Sequence, residues 1–194
     1  SALWFALDTD LPVIVDADGL TILAAHPDLI VNRKAPTVLT PHAGEFARLA
    51  SGAGLPTTSD QAGPGDDRIA ATRRLSDQFG ATVLLKGNVT VIAEPGGPVY
   101  LNPAGQSWAA TAGSGDVLSG IIGALLATGL PPGEAAAAAA FVHARAANLS
   151  AADPGPQPAP TSASGILAHV RTAIARLQQS GKDSAWPRGT PKAQ

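Results

Sequence analysis

Residues 111–126 read Thr-Ala-Gly-Ser-Gly-Asp-Val-Leu-Ser-Gly-Ile-Ile-Gly-Ala-Leu-Leu, so a glycine-rich turn leads directly into an apolar segment. Gly113 and Gly115 let a ligand approach the main chain closely, and the first N–H groups of a following helix point towards an anion. Asp116 would then lie at the start of that helix, beside the anion. An aspartate there can act on the ligand, or it can simply cap the helix, because aspartate is a frequent N-cap residue.

The residues after this turn predict a buried helix. Its apolar side chains would occupy most of the helix circumference: Val117, Leu118, Ile121, Ile122, Leu125 and Leu126. A helix that is apolar nearly all round is normally buried. We therefore expect the glycine turn to lie at the end of a rigid core element.

Two strand-turn-helix units precede the turn and predict a parallel sheet covered by helices. Val13–Val15 is a short β-branched run that ends at Asp16-Ala17-Asp18, with a helix expected over 20–26. A second run at 37–40 leads through Pro41-His42-Ala43-Gly44 into a short helix. Ligands of open α/β sheets bind at the carboxyl ends of the strands. Asp16 and Asp18 are therefore expected beside a cleft, unless they only cap the following helix.

The remaining segments predict a mixed sheet and three further helices. Short spacings between apolar runs favour antiparallel hairpins, joined by turns such as Lys86-Gly87-Asn88. The expected strands are 82–85, 89–93 and 99–101, and the expected helices are 66–79, 134–151 and a final amphipathic one from about 166. Residues 51–65 are rich in Gly, Pro, Ser and Thr and predict a surface loop. We expect one domain over 1–179, incomplete at its N-terminus, and a disordered tail over 180–194.

Composition limits the possible partners. A formal net charge of −2 gives no bulk attraction to nucleic acid or to an anionic membrane, so an anionic ligand needs a local site. The chain has no cysteine, which removes disulfides, thiolate zinc sites and thiol nucleophiles. A reducing cytoplasm fits that composition. No apolar run approaches the roughly 20 residues that span a bilayer.

Several segments together resemble the C-terminal domain of the NAD(P)H-hydrate dehydratases, in the ribokinase-like superfamily. The matching segments occur in the family's order between Pro12 and Asn148: Val15-Asp16-Ala17-Asp18, Leu39-Thr40-Pro41-His42-Ala43-Gly44-Glu45, Leu85-Lys86-Gly87 with Thr90, Asn102-Pro103 and residues 110–120. The resemblance implies a three-layer α/β/α fold with a mostly parallel sheet and antiparallel edge hairpins. It also implies that the first strands of the family domain are missing here.

The resemblance implies an activity and its co-substrates. Family members repair hydrated NADH and NADPH: ADP or ATP phosphorylates the ring hydroxyl, phosphate then leaves, and the ring double bond returns. Mg²⁺ accompanies the nucleotide, and the Ala/Gly/Pro-rich composition favours a bacterial chain and hence ADP. Members are often tetramers, and an NAD(P)H-hydrate epimerase is fused to some of them.

The resemblance also implies a role for individual residues. Asp116 matches the base that takes the proton from the ring hydroxyl, and it contacts the substrate. The nucleotide would be held by Gly113, Ser114 and Gly115, and by the turn of Lys86, Gly87, Asn88, Val89 and Thr90. His42 and Asp16 match the substrate side. Glu45 could hold Mg²⁺ through water, because hard cations prefer carboxylate oxygen, or it could be a first-turn helix acid.

Some residues depart from the family pattern. Thr21 stands where asparagine is common, and Val89 where glycine is frequent, so Val89 would be strained if its φ were positive. His143 is interpreted as a packed side chain. Two other functions stay open: a ribokinase-like kinase of a small alcohol, which would use the same Asp116, and a non-catalytic nucleotide-binding module.

Overall fold

The computed structural model describes residues 2–55 and 64–183, with side chains as far as residue 179. These residues form a five-stranded sheet flanked by helices. The strands are β1 (Val13–Val15), β2 (Thr37–Leu39), β3 (Thr82–Leu85), β4 (Val89–Ala93) and β5 (Val99–Pro103). The helices are α1 (Ala2–Leu7), α2 (Asp18–Ala25), α3 (Ala43–Gly52), α4 (Arg68–Phe79), α5 (Ser114–Ala127), α6 (Pro132–Ala152) and α7 (Ala163–Asp183).

The sheet is mixed, as the sequence predicts. Its strands lie in chain order; β1, β2 and β3 are parallel, whereas β4 and β5 continue the sheet antiparallel. In the register Val15 lies opposite Leu39, and Leu39 lies opposite Val83. The carboxyl ends of the three parallel strands therefore meet at one edge of the sheet, where α/β proteins bind ligands.

Helices cover both faces of the sheet. Apolar side chains of α2, α3 and α4 pack on one face, and those of α5 and α6 pack on the other. Helix α7 packs on α6 and reaches α5. The buried face of α6 is largely alanine, and these small side chains let α6 lie close to its neighbours. Aliphatic and alanine side chains make up most of the core.

Helix α5 is buried on two sides by two different neighbours. Leu118, Ile122 and Leu126 are buried in the cluster that faces the sheet and α6. Val117 and Ile121 are partly buried against the α6–α7 cluster. The nearly continuous apolar surface predicted for this helix therefore has a physical reason, because the helix lies between the sheet and α7.

The helix ends differ slightly from the sequence expectation. Helix α4 begins at Arg68, where the Asp67 side chain accepts a hydrogen bond of 2.9 Å from the Ala70 N–H. It ends at Phe79 and is followed by Gly80 with φ of 59°. Helix α3 continues to Gly52, into the expected loop, of which residues 56–63 lie outside the described part. Helix α7 extends to Asp183, into the expected tail; the rest of that tail also lies outside the described part.

Gly52 is required where α3 crosses the end of α2. A Cβ added at Gly52 would overlap the main-chain carbonyl of Ala24, which cannot rotate away as a side chain would. We expect Gly52→Ala to lower the free energy of unfolding by about 1–3 kcal/mol, measured by urea denaturation. Gly120→Ala is the matched control, because its Cβ would meet nothing within 4 Å. Equal stability of Gly52→Ala and wild type would show that this helix contact is loose.

Among the helices at 2–55 and 64–183, none combines the length and hydropathy that a bilayer crossing demands.

Candidate active site

Lys86 lies at the carboxyl edge of the sheet between two acidic side chains. Its Nζ donates a hydrogen bond of 2.8 Å to Asp16 Oδ1 and lies 3.9 Å from Glu45 Oε2. The Lys86 main-chain N–H donates to the Pro41 carbonyl over 2.8 Å. This bond fixes the start of the turn over residues 86–90, called the lysine turn below, against the end of β2. The Lys86 side chain is 25% exposed, so its ammonium group can still reach a ligand.

Asp16 is held by α5 as well as by Lys86. Its Oδ2 accepts a hydrogen bond of 3.3 Å from Ser119 Oγ, and its Oδ1 accepts one of 2.9 Å from the Ala17 N–H. Ala17 has φ of 48°, the one positive φ of a non-glycine residue in the described part of the chain. Such a conformation is strained and persists where neighbouring contacts hold it, most often at functional sites.

The glycine turn forms the N-terminus of α5, as predicted. Gly113 is the N-cap residue with φ of 78°, and Ser114 Oγ donates to the Ala109 carbonyl over 2.6 Å. Within the described residues, the N–H groups of Gly113 and Gly115 donate to no main-chain acceptor. A Cβ on Gly115 would be 3.7 Å from Lys86 Nζ and 3.4 Å from Asp16 Oδ2, the carboxylate that is paired with this lysine. The ammonium group therefore lies beside the N-terminus of α5, which is a suitable place for an anion.

Asp116 is exposed on the first turn of α5. Its carboxylate accepts no hydrogen bond from residues 2–55 or 64–183, so it does not cap the helix in this structure. A carboxylate without a protein partner is available to a ligand that reaches the helix terminus. Its role as the reacting base stays a prediction.

His42 and Glu45 form a capping box at the start of α3. His42 Nδ1 accepts hydrogen bonds from the Gly44 and Glu45 N–H groups at 3.0 and 3.3 Å, while Glu45 Oε2 accepts one of 2.8 Å from the His42 N–H. Glu45 is thus a first-turn helix acid, one of its two predicted roles. Since Nδ1 is an acceptor, the His42 ring carries its proton on Nε2, and at 57% exposure it can donate to a ligand.

A cleft of about 530 Å³ joins these features, a size typical of small-ligand sites. Its walls are His42, Lys86, Gly87, Asn88, Thr90, Ala104, Gln106, Ser107, Ala109, Ala110, Thr111, Ser114, Gly115, Leu118 and His143. The cleft thus unites His42 with most of the lysine turn and of the glycine turn. Five of the predicted site residues lie outside its walls: Asp16, Glu45, Val89, Gly113 and Asp116.

The lysine turn is supported by an arginine that the sequence analysis did not identify. Arg68 Nη2 donates to the Lys86 carbonyl over 3.2 Å and would be 2.6 Å from a Cβ on Gly87. Burial lowers the pKa of the Arg68 guanidinium, which still stays charged at neutral pH. Val89 begins β4 without a positive φ, so the expected strain there is absent.

Ser119 is another site neighbour that the sequence reading passed over, and His143 is one that it interpreted only as a packed side chain. Ser119 is four residues after Gly115, so on a helix the two share one face, and this spacing could have identified it. His143 is packed, as interpreted, but it also lines the cleft. Its side chain is 7% exposed, and burial lowers the pKa of its imidazole, against a smaller opposite effect of hydrogen bonding with the Ser114 backbone.

His143 should make stability depend on pH. Its pKa in the folded chain lies below the ordinary 6.5, so the unfolded chain takes up the proton first as the pH falls. We expect the free energy of unfolding of wild type, relative to that of His143→Phe, to fall as the pH drops through about 6.5, by at most about 1.36 kcal/mol per pH unit. Denaturant titrations between about pH 5 and pH 8 measure the difference. Parallel curves for the two proteins would contradict it.

Few side chains of the site are placed to bind a cation. No group of three His, Asp or Glu side chains in the described residues is placed to hold a metal ion. Asp16 and Glu45 both face Lys86, which offsets their charge. This arrangement suits Mg²⁺ that is held mainly by nucleotide phosphates and water, with at most one or two carboxylates, which is a common mode for that ion.

Comparison with known proteins places this chain in one family. A family model described as NAD(P)H-hydrate dehydratase matches residues 1–169. The chain is 77% identical over 177 residues to the bifunctional NAD(P)H-hydrate repair enzyme Nnr of Mycobacterium leprae, covering 91% of this chain and 35% of that protein. It is 47% identical over 143 residues to the ADP-dependent (S)-NAD(P)H-hydrate dehydratase of Neisseria meningitidis, covering 73% of this chain and 46% of that protein.

A solved structure that resembles this chain belongs to the same family as the relatives found by sequence. The ADP/ATP-dependent NAD(P)H-hydrate dehydratase of Bacillus subtilis, co-crystallised with ATP and Mg²⁺, matches with a TM-score of 0.70 and 31% identity over 88% of this chain and 56% of that one. The predicted ribokinase-like α/β class is confirmed. The chain spans less than half the length of the two curated relatives above. With a family match over most of its residues, the chain belongs to the NAD(P)H-hydrate dehydratase family.

Proposed function

We propose that this chain provides the nucleotide-phosphate end of a dehydratase that restores NADH and NADPH from their hydrated forms, with ADP or ATP as co-substrate. The observation that carries the proposal is Lys86 Nζ beside Gly115, at the N-terminus of α5 and on the wall of the cleft. A lysine and free main-chain N–H groups are the usual ligands of a transferring phosphoryl group. The names of the relatives from Mycobacterium leprae and Neisseria meningitidis support the substrate.

The proposed reaction assigns a separate task to each group. Lys86 and the N–H groups of Gly113 and Gly115 hold the terminal phosphoryl group and stabilise its charge during transfer. Asp116 takes the proton of the ring hydroxyl as the hydroxyl oxygen bonds to phosphorus and the bond to the leaving nucleotide breaks. The phosphorylated ring then expels phosphate by C–O cleavage, and loss of a proton from the neighbouring ring carbon restores the double bond.

The substrate side of the proposal rests on His42 and Asp16. His42 Nε2 lies 3.5 Å from Glu45 Oε1, but the exposed ring can donate from Nε2 to the hydrated nucleotide while Nδ1 stays engaged in the α3 cap. Asp16 is fixed by Lys86 and Ser119, so it can position the ammonium group of Lys86 as well as contact substrate.

In this proposal Mg²⁺ enters the site bound to the phosphates of the nucleotide. Mg²⁺ would neutralise phosphate charge when bound, held mainly by phosphate oxygens and water. Glu45 would contact the ion only through water, because its Oε2 already accepts the His42 N–H. The name of the Bacillus subtilis structure, with ATP and Mg²⁺, supports this cofactor.

We also infer the setting in which the chain acts. The substrates are nucleotides, and the cysteine-free sequence fits a reducing cytoplasm. The bifunctional relative supports an epimerase activity, fused to this domain or separate from it. A homotetramer is the proposed assembly, and light scattering of the purified protein would test it.

The direct test is an absorbance assay with the complete gene product. NADH hydrate is incubated with Mg²⁺ and with ADP, ATP, AMP or no nucleotide, and the return of dihydronicotinamide absorbance is followed. We expect recovery with ADP or ATP and none with AMP or without nucleotide. Phosphorylation of a small alcohol without action on the hydrate would support a kinase instead. Nucleotide binding without any turnover would support a non-catalytic module.

A further inference from the structure

The imidazole of His143 has a polar atom that the protein leaves unpaired. His143 lies on α6 and lines the cleft beside Ser114 and Gly115, yet the side chain is 7% exposed. Its Nε2 is buried and has no hydrogen-bond partner among the described residues. A buried polar atom without a partner costs free energy, so native proteins rarely keep one without a function.

The surroundings of the ring determine which nitrogen carries the proton. Hydrogen bonding with the Ser114 backbone raises the pKa of His143, as a carbonyl acceptor facing a ring N–H does. Since Nε2 has no partner, we assign the contact with Ser114 to Nδ1. Burial lowers the pKa and keeps the ring neutral, so a ring with its proton on Nδ1 has a free acceptor on Nε2.

We propose that His143 is a nucleotide-binding residue whose Nε2 accepts a hydrogen bond from an amino or hydroxyl group of the nucleoside. This inference rests on the proposed function, in which ADP or ATP occupies the cleft. The phosphates are excluded as partners, because ionised phosphate oxygens accept hydrogen bonds and do not donate them. ADP offers three other donors: the adenine amino group and the two ribose hydroxyl groups.

The position of His143 agrees with a nucleoside contact. Ser114 belongs to the turn that would hold the phosphates, and His143 lies directly behind it on the same cleft wall. The nucleoside is joined to the phosphates and must therefore lie next to that turn. The contact requires the ring to rotate towards the ligand, because Nε2 is buried.

Calorimetry with nucleotide analogues tests the contact. Wild type, His143→Phe and His143→Gln are titrated with ADP, inosine diphosphate, 2′-deoxy-ADP and 3′-deoxy-ADP, without hydrated substrate. We expect wild type to bind one of the three analogues about tenfold more weakly than ADP, because that analogue leaves Nε2 unpaired. His143→Phe should bind ADP about tenfold more weakly and lose this discrimination, while His143→Gln, which retains an acceptor, should recover part of both.

The discrimination ratio separates this role from a structural one. If His143 only supported Ser114, His143→Phe would weaken every nucleotide equally and leave the ratio unchanged, which would overturn the inference. Wild-type affinity of His143→Phe for ADP would also overturn it, since an ordered water would then satisfy Nε2. If wild type bound no adenine nucleotide at all, the proposed function would fail as well.

Discussion

Asp116→Asn should lower nucleotide-dependent recovery of NADH from its hydrate by about 10²–10⁴-fold or more, or about 3–5 kcal/mol of barrier. An amide cannot take up the proton of the ring hydroxyl. The affinity for ADP or ATP should stay close to that of wild type, because the phosphates would be held by Lys86 and by main-chain N–H groups. The Asp116 carboxylate makes no hydrogen bond to the described residues, so the fold should tolerate the change.

The absorbance assay and calorimetric titration of ADP measure these two quantities for the complete gene product. Asp28→Asn is a matched control, because Asp28 is also an exposed aspartate in the first turn of a short helix, and it lies outside the walls of the cleft. It should keep wild-type turnover. If Asp116→Asn retains more than about a tenth of wild-type turnover, the proposed mechanism is wrong and Asp116 is not the reacting base.

Lys86→Met should weaken ADP binding by about 10- to 100-fold, since charge-assisted hydrogen bonds contribute about 1.5–3 kcal/mol. The side chain is partly exposed, and solvent screening favours the lower end of that range. Loss of the ammonium group also leaves Asp16 without its ion pair beside the phosphates, where its charge repels them. Turnover at saturating ADP should fall less than affinity does.

Two further variants identify the cause of that loss. Lys34→Met removes an exposed lysine elsewhere and should leave ADP affinity unchanged. Adding Asp16→Asn to Lys86→Met should recover part of the affinity, because the repulsive carboxylate is removed together with its partner. Calorimetric titrations at low and high salt measure the ADP affinity of wild type and of the three variants. Equal ADP affinity in wild type and Lys86→Met would remove the nucleotide role of the lysine turn.

The elements of the site were predictable where one segment of sequence determines them. The glycine turn and α5 are contiguous, and their backbone requirements and apolar periodicity are local properties. The strands before Asp16 and Pro41 follow the same rule, since short β-branched runs end in turn residues. The Glu45 capping role could also be anticipated, because His42 and Glu45 have the spacing of a capping box.

Contacts between distant segments could not be derived in this way. The Asp16–Lys86 ion pair joins residues that are 70 positions apart, and only the parallel register of β1, β2 and β3 brings them together. The burial of His143 Nε2 without a partner depends on the packing of α6 against α5. The alanine-rich sequence of α6 does not show which of its faces packs against that helix. Arg68 reaches the lysine turn for the same reason, since α4 packs on β3 and β4.

A structure of this protein with ADP and Mg²⁺ would test the central claim most directly. We expect phosphate oxygens within about 3 Å of the Gly113 or Gly115 nitrogen and of Lys86 Nζ, the distance of a direct hydrogen bond. Phosphates more than about 5 Å from both the glycine turn and the lysine turn would contradict it.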